Sequence, residues 1–177
     1  MRILLDMDGV VADFIKELLK QYNYLTGENV KKGDITHVNA SKCVHDPLTL
    51  KRLINGVGFI RNLPPIPGAI EGVETLVRQG HDVVFVSNGT NCITSGHEKR
   101  DWLNYHFSKT WQKAPLVLTY HKHLVRGDCL VDDNPRNLEK LDPSTTPLIW
   151  HCPYNTGVQK YTRVYDWSDL LDWVSRQ

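Results

Sequence analysis

Short apolar runs recur along the chain, separated by stretches whose apolar residues lie three and four positions apart. The runs at 3–6, 82–87, 116–119, 129–132 and 148–152 predict strands. Helical spacing covers 97–107, where Trp102, Leu103, His106 and Phe107 recur on one face. Pro67-Gly68 opens another helix, with Ile70, Val73, Leu76 and Val77 inward and Gly80 placed to stop it. Residues 134–141 predict a short helix, and 167–174 a last one with Leu170, Leu171 and Val174 inward. Strands alternating with amphipathic helices predict an α/β fold, a Rossmann-like parallel sheet with helices on both faces.

One stretch breaks the alternation. About 75 residues separate the first two strands, against the 10–15 of a single crossover helix. Within it, 14–25 and 46–54 read as helices and 27–43 as a polar loop, before "LPPIPG" returns the chain on a path stiffened by prolines. The expected organisation is a core of residues 1–14 and 64–177, with 15–63 a small, mainly helical cap inserted after the first strand. Insertions at the carboxyl end of a strand stand where open α/β sheets bind ligands.

Composition narrows the partners. The 177 residues are 41% apolar with a net charge of +1, which supports a good core and gives no basic stripe for nucleic acid and no sign of a membrane surface. No apolar run approaches the roughly 20 residues of a bilayer span. Cys43, Cys92, Cys129 and Cys152 lack C-x-x-C spacing, and two lie in apolar runs where a thiol acts as a small hydrophobe. With no room before the first strand for a signal sequence, a reduced, cytoplasmic setting is expected. The eight histidines include no H-x-x-x-H or H-E-x-x-H arrangement.

The candidate chemistry begins in "RILLDMDGVVADF", where Asp6, Asp8 and Asp13 follow the first strand closely. Residues two apart on an extended chain share a side, so Asp6 and Asp8 can face one site, and Gly9 permits a sharp turn. Asp-Gly is also ordinary turn chemistry. A second acidic pair, Asp132-Asp133, ends another apolar run in "CLVDDNP". Adjacent like charges at a strand tip repel unless a cation or a hydrogen-bond network offsets them. Hard oxygen ligands at two strand ends suit Mg²⁺, although one of the pair can equally cap the following helix. Ser87, Asn88 and Gly89 end a third strand, where a hydroxyl and free N–H groups can bind phosphate oxygens. Lys122 can balance phosphoryl charge; Lys99 and Arg100 are its rivals, or solvated positions on a helix.

In order, "DMDGV", "VSN", Lys122 and "VDD" resemble the haloacid dehalogenase-like phosphohydrolases, which carry D-x-D-x-[TV], a Ser or Thr, a Lys and an acidic pair. Within them, "ILLDMDGVVADF", "LPPIPGAIEGVETL" and "DWSDLLDWV" are similar to the 5′(3′)-deoxyribonucleotidases. The resemblance implies a Mg²⁺-dependent phosphomonoesterase acting on nucleoside monophosphates through an aspartyl-phosphate. Asp6 would be the nucleophile and Asp8 the general acid and base. Ser87, Asn88 and Lys122 would hold the phosphoryl group. Asp6, Asp8 (through its carbonyl), Asp132 and Asp133 would surround the metal, with Asp133 preferred as direct ligand. Phe14 matches a base-contacting aromatic, or equally a core residue, and Asp13 is expected to cap the helix beginning there. A homodimer is also implied. The chain departs from the pattern at Asn88, where a Ser is usual, and at Asn134, where an Arg is usual; no cap aromatic pair stands in "DITHVNASK". A phosphatase for another small phosphomonoester, such as a sugar phosphate, is the nearest alternative, and a catalytically silent binding protein of the same fold a distant one. A response-regulator receiver uses similar groups, but in a different chain order.

Overall fold

The computed structural model describes residues 1–89, 92–108 and 115–177. Six parallel strands, β1 (Arg2–Leu5), β2 (Asp82–Ser87), β3 (Leu116–Leu118), β4 (Cys129–Asp132), β5 (Thr146–Trp150) and β6 (Thr162–Val164), form one sheet in the order β3-β2-β1-β4-β5-β6. Period two explains how both faces are filled. Ile3, Leu5, Val83, Phe85 and Val131 join one core, while Leu4, Val84, Val86 and Leu130 join the other. Helices α3 (Ala69–Arg78) and α6 (Trp167–Val174) bury Val73, Leu76, Trp167 and Leu170 in the first core. They approach so closely that a Cβ at Gly72 would lie 2.2 Å from the Trp167 ring. The second core is closed by α5 (Pro135–Leu138) and by loop residues such as Val125 and Tyr161.

Some boundaries differ from the sequence expectation, each for a local reason. β5 starts at Thr146 and runs through Pro147, whose missing donor falls at the strand's second residue, where it is tolerated. Cys152 is thereby released into a turn. α5 stops at Leu138 instead of continuing to 141, and Asp142, which precedes Pro143, turns back on the Ser144 amide. The edge strand β6 has only three residues, one of them Arg163, too few for alternation to reveal.

Residues 15–63 hold most of α1 (Phe14–Thr26), α2 (Pro47–Ile54) and short 3₁₀ turns. Asp13 caps α1 by accepting from the Lys16 amide at 3.3 Å, as expected, and Gly27 ends it at φ 74°. Tyr22 ties this region together: its hydroxyl donates to Glu28 at 2.5 Å and accepts from the Asp46 amide at 3.0 Å. Its return is fastened to α4 (Ser95–His106). The Glu98 carboxylate accepts from the amides of Gly58, Ile60 and Arg61 and from the Thr94 hydroxyl, and the Trp102 indole donates to the Leu63 carbonyl.

All four cysteines are free thiols. Burial pushes the Cys129 and Cys152 thiols up to about 12, so both are protonated hydrophobes. Among the described residues, no helix is long and apolar enough to cross a membrane.

Candidate active site

The carboxyl ends of β1, β2 and β4 are neighbours because the sheet runs parallel with β1 at its centre. β2 lies on one side of β1 and β4 on the other, so the crevice between β1 and β4 is a topological switch point. Asp6 sits one residue beyond β1, its amide still donating to the Val131 carbonyl at 2.9 Å. The chain then turns tightly, with Val11 and Ala12 amides returning to the Met7 carbonyl. Gly9 is required there twice: its φ is 91°, and a Cβ would lie 2.1 Å from Asp133 Oδ2.

The turn and β4 bring carboxylate oxygens of Asp6, Asp132 and Asp133 within 4.8 Å of one another, the one such acidic group among the described residues. A single ammonium, Lys122, lies 2.6 Å from both Asp6 Oδ1 and Asp132 Oδ2. Burial pushes the Asp6 carboxyl up to about 7; Lys122 opposes this, while Asp132 and Asp8 add to it. Burial, then Asp6 and Asp132, likewise hold Asp133 well above the ordinary carboxylate range. Burial alone would lower the Lys122 ammonium, but Asp132 and Asp6 outweigh it and raise it. Three carboxylates against one ammonium leave a negative excess that a cation fits. Asp132 is the more committed of the pair, its oxygens also taken by the Asn134 amide and the Asn137 side chain. Among the described residues, the Asp133 carboxylate receives only the Tyr154 hydroxyl.

Asp8 lies apart from that triad. Lys99, fully buried on α4, donates to Asp8 Oδ2 at 2.5 Å and to the Ser87 hydroxyl at 2.9 Å. Asp8 Oδ1 and Asn88 Oδ1 are buried acceptors without a hydrogen-bond partner among the described residues. Lys122 contacts carboxylates, and Lys99 the hydroxyl of Ser87. Arg100 is exposed beside His97. Asn134 caps α5 through the Arg136 amide, and His121 and His123 stack edge to face outside the acidic group. In the sequence Lys99 reads as a rival of Lys122 or a solvated position among charged neighbours. The signal for its burial is that it stands three residues before Trp102 and four before Leu103, on the buried stripe. Tyr154 and Asn137 carry no such signal, because a turn and a one-turn helix place them.

Above these groups lies a cavity of about 260 Å³ whose polar side includes Asp6, Asp8, Asn88 and Asp133. Its apolar side is made by Phe14, Val38 and Ile54. Phe14 packs edge-on against Phe59, 5.2 Å between ring centres, so it is both a core aromatic and a cavity wall.

Comparison with known proteins supplies the family. The family described as 5′ nucleotidase, deoxy (Pyrimidine), cytosolic type C protein matches residues 1–177. A Bordetella bronchiseptica protein named "Putative 5′(3′)-deoxyribonucleotidase" is 33% identical over 94% of this chain and 91% of its own. A Staphylococcus epidermidis protein of the same name is 27% identical over 98% and 96%. Among solved structures, a "putative haloacid dehalogenase-like hydrolase" from Burkholderia xenovorans superposes with a TM-score of 0.60 at 14% identity, covering 99% and 96%. The D,D-heptose 1,7-bisphosphate phosphatase of B. bronchiseptica, complexed with magnesium and phosphate, gives 0.57 at 11% identity, covering 99% and 98%. The chain has the fold of the haloacid dehalogenase-like hydrolases, belongs to the cytosolic type C 5′-nucleotidase family, and is a phosphomonoester hydrolase of the 5′-nucleotidase type.

Proposed function

We propose that this enzyme removes the phosphate from (deoxy)ribonucleoside monophosphates through a covalent aspartyl-phosphate, with Mg²⁺ as cofactor. The observation that carries the reading is the single cavity joining the carboxylates of Asp6, Asp8 and Asp133 to an apolar wall of Phe14, Val38 and Ile54. A phosphate end and a base end need such a two-sided site. The acidic triad of Asp6, Asp132 and Asp133 would hold the ion, with Asp133 the preferred direct ligand and the Asp8 carbonyl a further one. When bound, Mg²⁺ offsets the charge between an anionic nucleophile and a phosphate dianion.

The chain's own groups then divide the work. An Asp6 carboxylate oxygen attacks phosphorus while the bond to the sugar oxygen breaks, and the leaving oxygen takes a proton from Asp8. Asp8 Oδ2 is committed to Lys99, so the unpartnered Oδ1 is the oxygen for that transfer. In the second half, Asp8 takes a proton from water as the water oxygen attacks phosphorus, releasing phosphate and restoring Asp6. Ser87, Asn88 and Lys122 hold the phosphoryl oxygens, with Lys122 shifting from the carboxylates it bridges.

Residues 15–63 act as a cap over a core of 1–14 and 64–177, and Phe14 contacts the base. The substrate is a small molecule, with neither nucleic acid nor membrane as partner; the enzyme works in the cytoplasm as a homodimer. The deciding experiment measures phosphate release, with Mg²⁺, from nucleoside 5′- and 3′-monophosphates and sugar phosphates. Nucleotides should turn over, and Asp6→Asn should lose on the order of 10⁴-fold or more in kcat, as removal of a nucleophile does elsewhere. Hydrolysis of sugar phosphates alone would overturn the nucleotide reading, and an active Asp6→Asn would overturn the covalent one.

A further inference from the structure

The turn after β5 carries no recognisable motif, yet it grips Asp133 at three points, one of them the Cys152 thiol on the Asp133 carbonyl at 3.8 Å. The Tyr154 hydroxyl donates to Asp133 Oδ2. Next to it, Asn155 Nδ2 donates to the Asp133 carbonyl at 2.8 Å and to the Trp150 carbonyl at 2.8 Å. Asn155 is 1% exposed and is itself locked from β6. Arg163 Nη1 donates to its side-chain oxygen at 2.7 Å, and Arg163 Nη2 to the carbonyls of Asn155 and Val158 at 2.9 and 2.7 Å. Pro153 at the first position of the turn fixes its φ. On the other side of the carboxylate lies Gly9, bare of a Cβ that would otherwise overlap Oδ2. Asp133 is therefore held by a phenol, a side-chain amide and a thiol in space that Gly9 leaves open, and the phenol occupies one of its two carboxylate oxygens.

We infer that Tyr154 is a positioning residue for Asp133: by taking Oδ2 it leaves a single carboxylate oxygen for the cation and so favours Mg²⁺ over Ca²⁺. The inference rests on the metal site proposed above. Its physical basis is the difference between the two ions. Mg²⁺ demands a tight octahedral shell of single oxygens, whereas Ca²⁺ accepts six to eight ligands and takes carboxylates through both oxygens. Losing a partner that fixes a ligating carboxylate typically costs about 10–100-fold in metal affinity. Arg163 extends the same device one layer outward, since the fork that holds Asn155 keeps the turn against Asp133.

The test titrates the full chain calorimetrically with MgCl₂ and, separately, CaCl₂, for wild type, Tyr154→Phe and Arg163→Lys, with metal-free melting temperatures alongside. Tyr154→Phe keeps the ring but strips Asp133 Oδ2 of its donor, so it should fold with a somewhat lower metal-free melting temperature. Its Mg²⁺ dissociation constant should rise about tenfold. Ca²⁺ binding should weaken less or strengthen, so the preference for Mg²⁺ falls. Arg163→Lys should move the preference in the same direction by a smaller factor, and it decides the matter if Tyr154→Phe does not fold. An unchanged Mg²⁺ to Ca²⁺ ratio, whether both affinities stay or both weaken equally, overturns the positioning role while leaving the metal site standing. A wild type that binds no Mg²⁺ overturns both.

Discussion

Lys99 and Lys122 have the same chemistry and opposite legibility in the sequence. Lys122 stands out by order, ten residues before Asp132, one of the two carboxylates it bridges. Lys99 lies in a run of charged residues, His97 to Asp101, that reads as a solvated helix surface. Its position on the Trp102–Leu103 stripe carries the opposite message, and the fold follows the stripe. Burying that ammonium is tolerable only because Asp8 and Ser87 receive it. Lys99→Met should therefore leave an unpaired carboxylate on a residue whose side chain is only a quarter exposed, costing about 3 kcal/mol. Adding Asp8→Asn removes that stranded charge. In a double-mutant cycle read by urea unfolding, the pair should be more stable than Lys99→Met alone. Strict additivity of the two losses would show that the bridge contributes nothing to the fold.

At the level of elements, α4 serves two parts of the molecule from consecutive residues. Lys99 reaches the strand ends, and Glu98 gathers the return of the 15–63 segment through three backbone amides. Burial pushes the Glu98 carboxyl up, but the Gly58 amide, the Thr94 hydroxyl and the Arg61 and Ile60 amides outweigh it and hold it below its ordinary value. The sign follows: a depressed carboxylate contributes stability above its unfolded value, and that contribution is lost as pH falls through the folded one. Glu98→Gln keeps the shape and loses the charge, so it should cost roughly 1–3 kcal/mol at pH 7. The gap to wild type should narrow as the pH falls below 4. A gap that is constant with pH would mean the anion is not what holds the segment. The sheet elements were readable from apolar runs and the long helices from period 3.6. The three-residue β6 was not, because a segment that short has no period to show, and α5 was readable in place but not in length. Arg163 lies on β6, and Tyr154 and Asn155 lie in the turn after β5, which has no period either, so the support of Asp133 emerges only in three dimensions.

Across the whole molecule, the parallel sheet concentrates negative charge at one end of an otherwise near-neutral chain. Asp6, Asp132 and Asp133 are all buried around Lys122, and burial with mutual repulsion pushes Asp6 up to about 7. Without metal, native Asp6 keeps a proton between pH 4 and 7 that the unfolded chain has already released. By linkage, its contribution to stability then falls as the pH rises through that window and levels off above it. A cation reverses the sign, because it needs the carboxylates ionised and competes with their protons. The stabilisation by Mg²⁺ should thus be larger at pH 8 than at pH 5.5, growing with ligand as RT ln(1 + [L]/Kd). Thermal melts with EDTA and with Mg²⁺ at both pH values measure this directly, and Asp6→Asn, which cannot titrate at that position, should flatten the dependence. Equal Mg²⁺ stabilisation at the two pH values would separate the buried acids from the metal, and the triad would then be a charge cluster balanced by Lys122 alone.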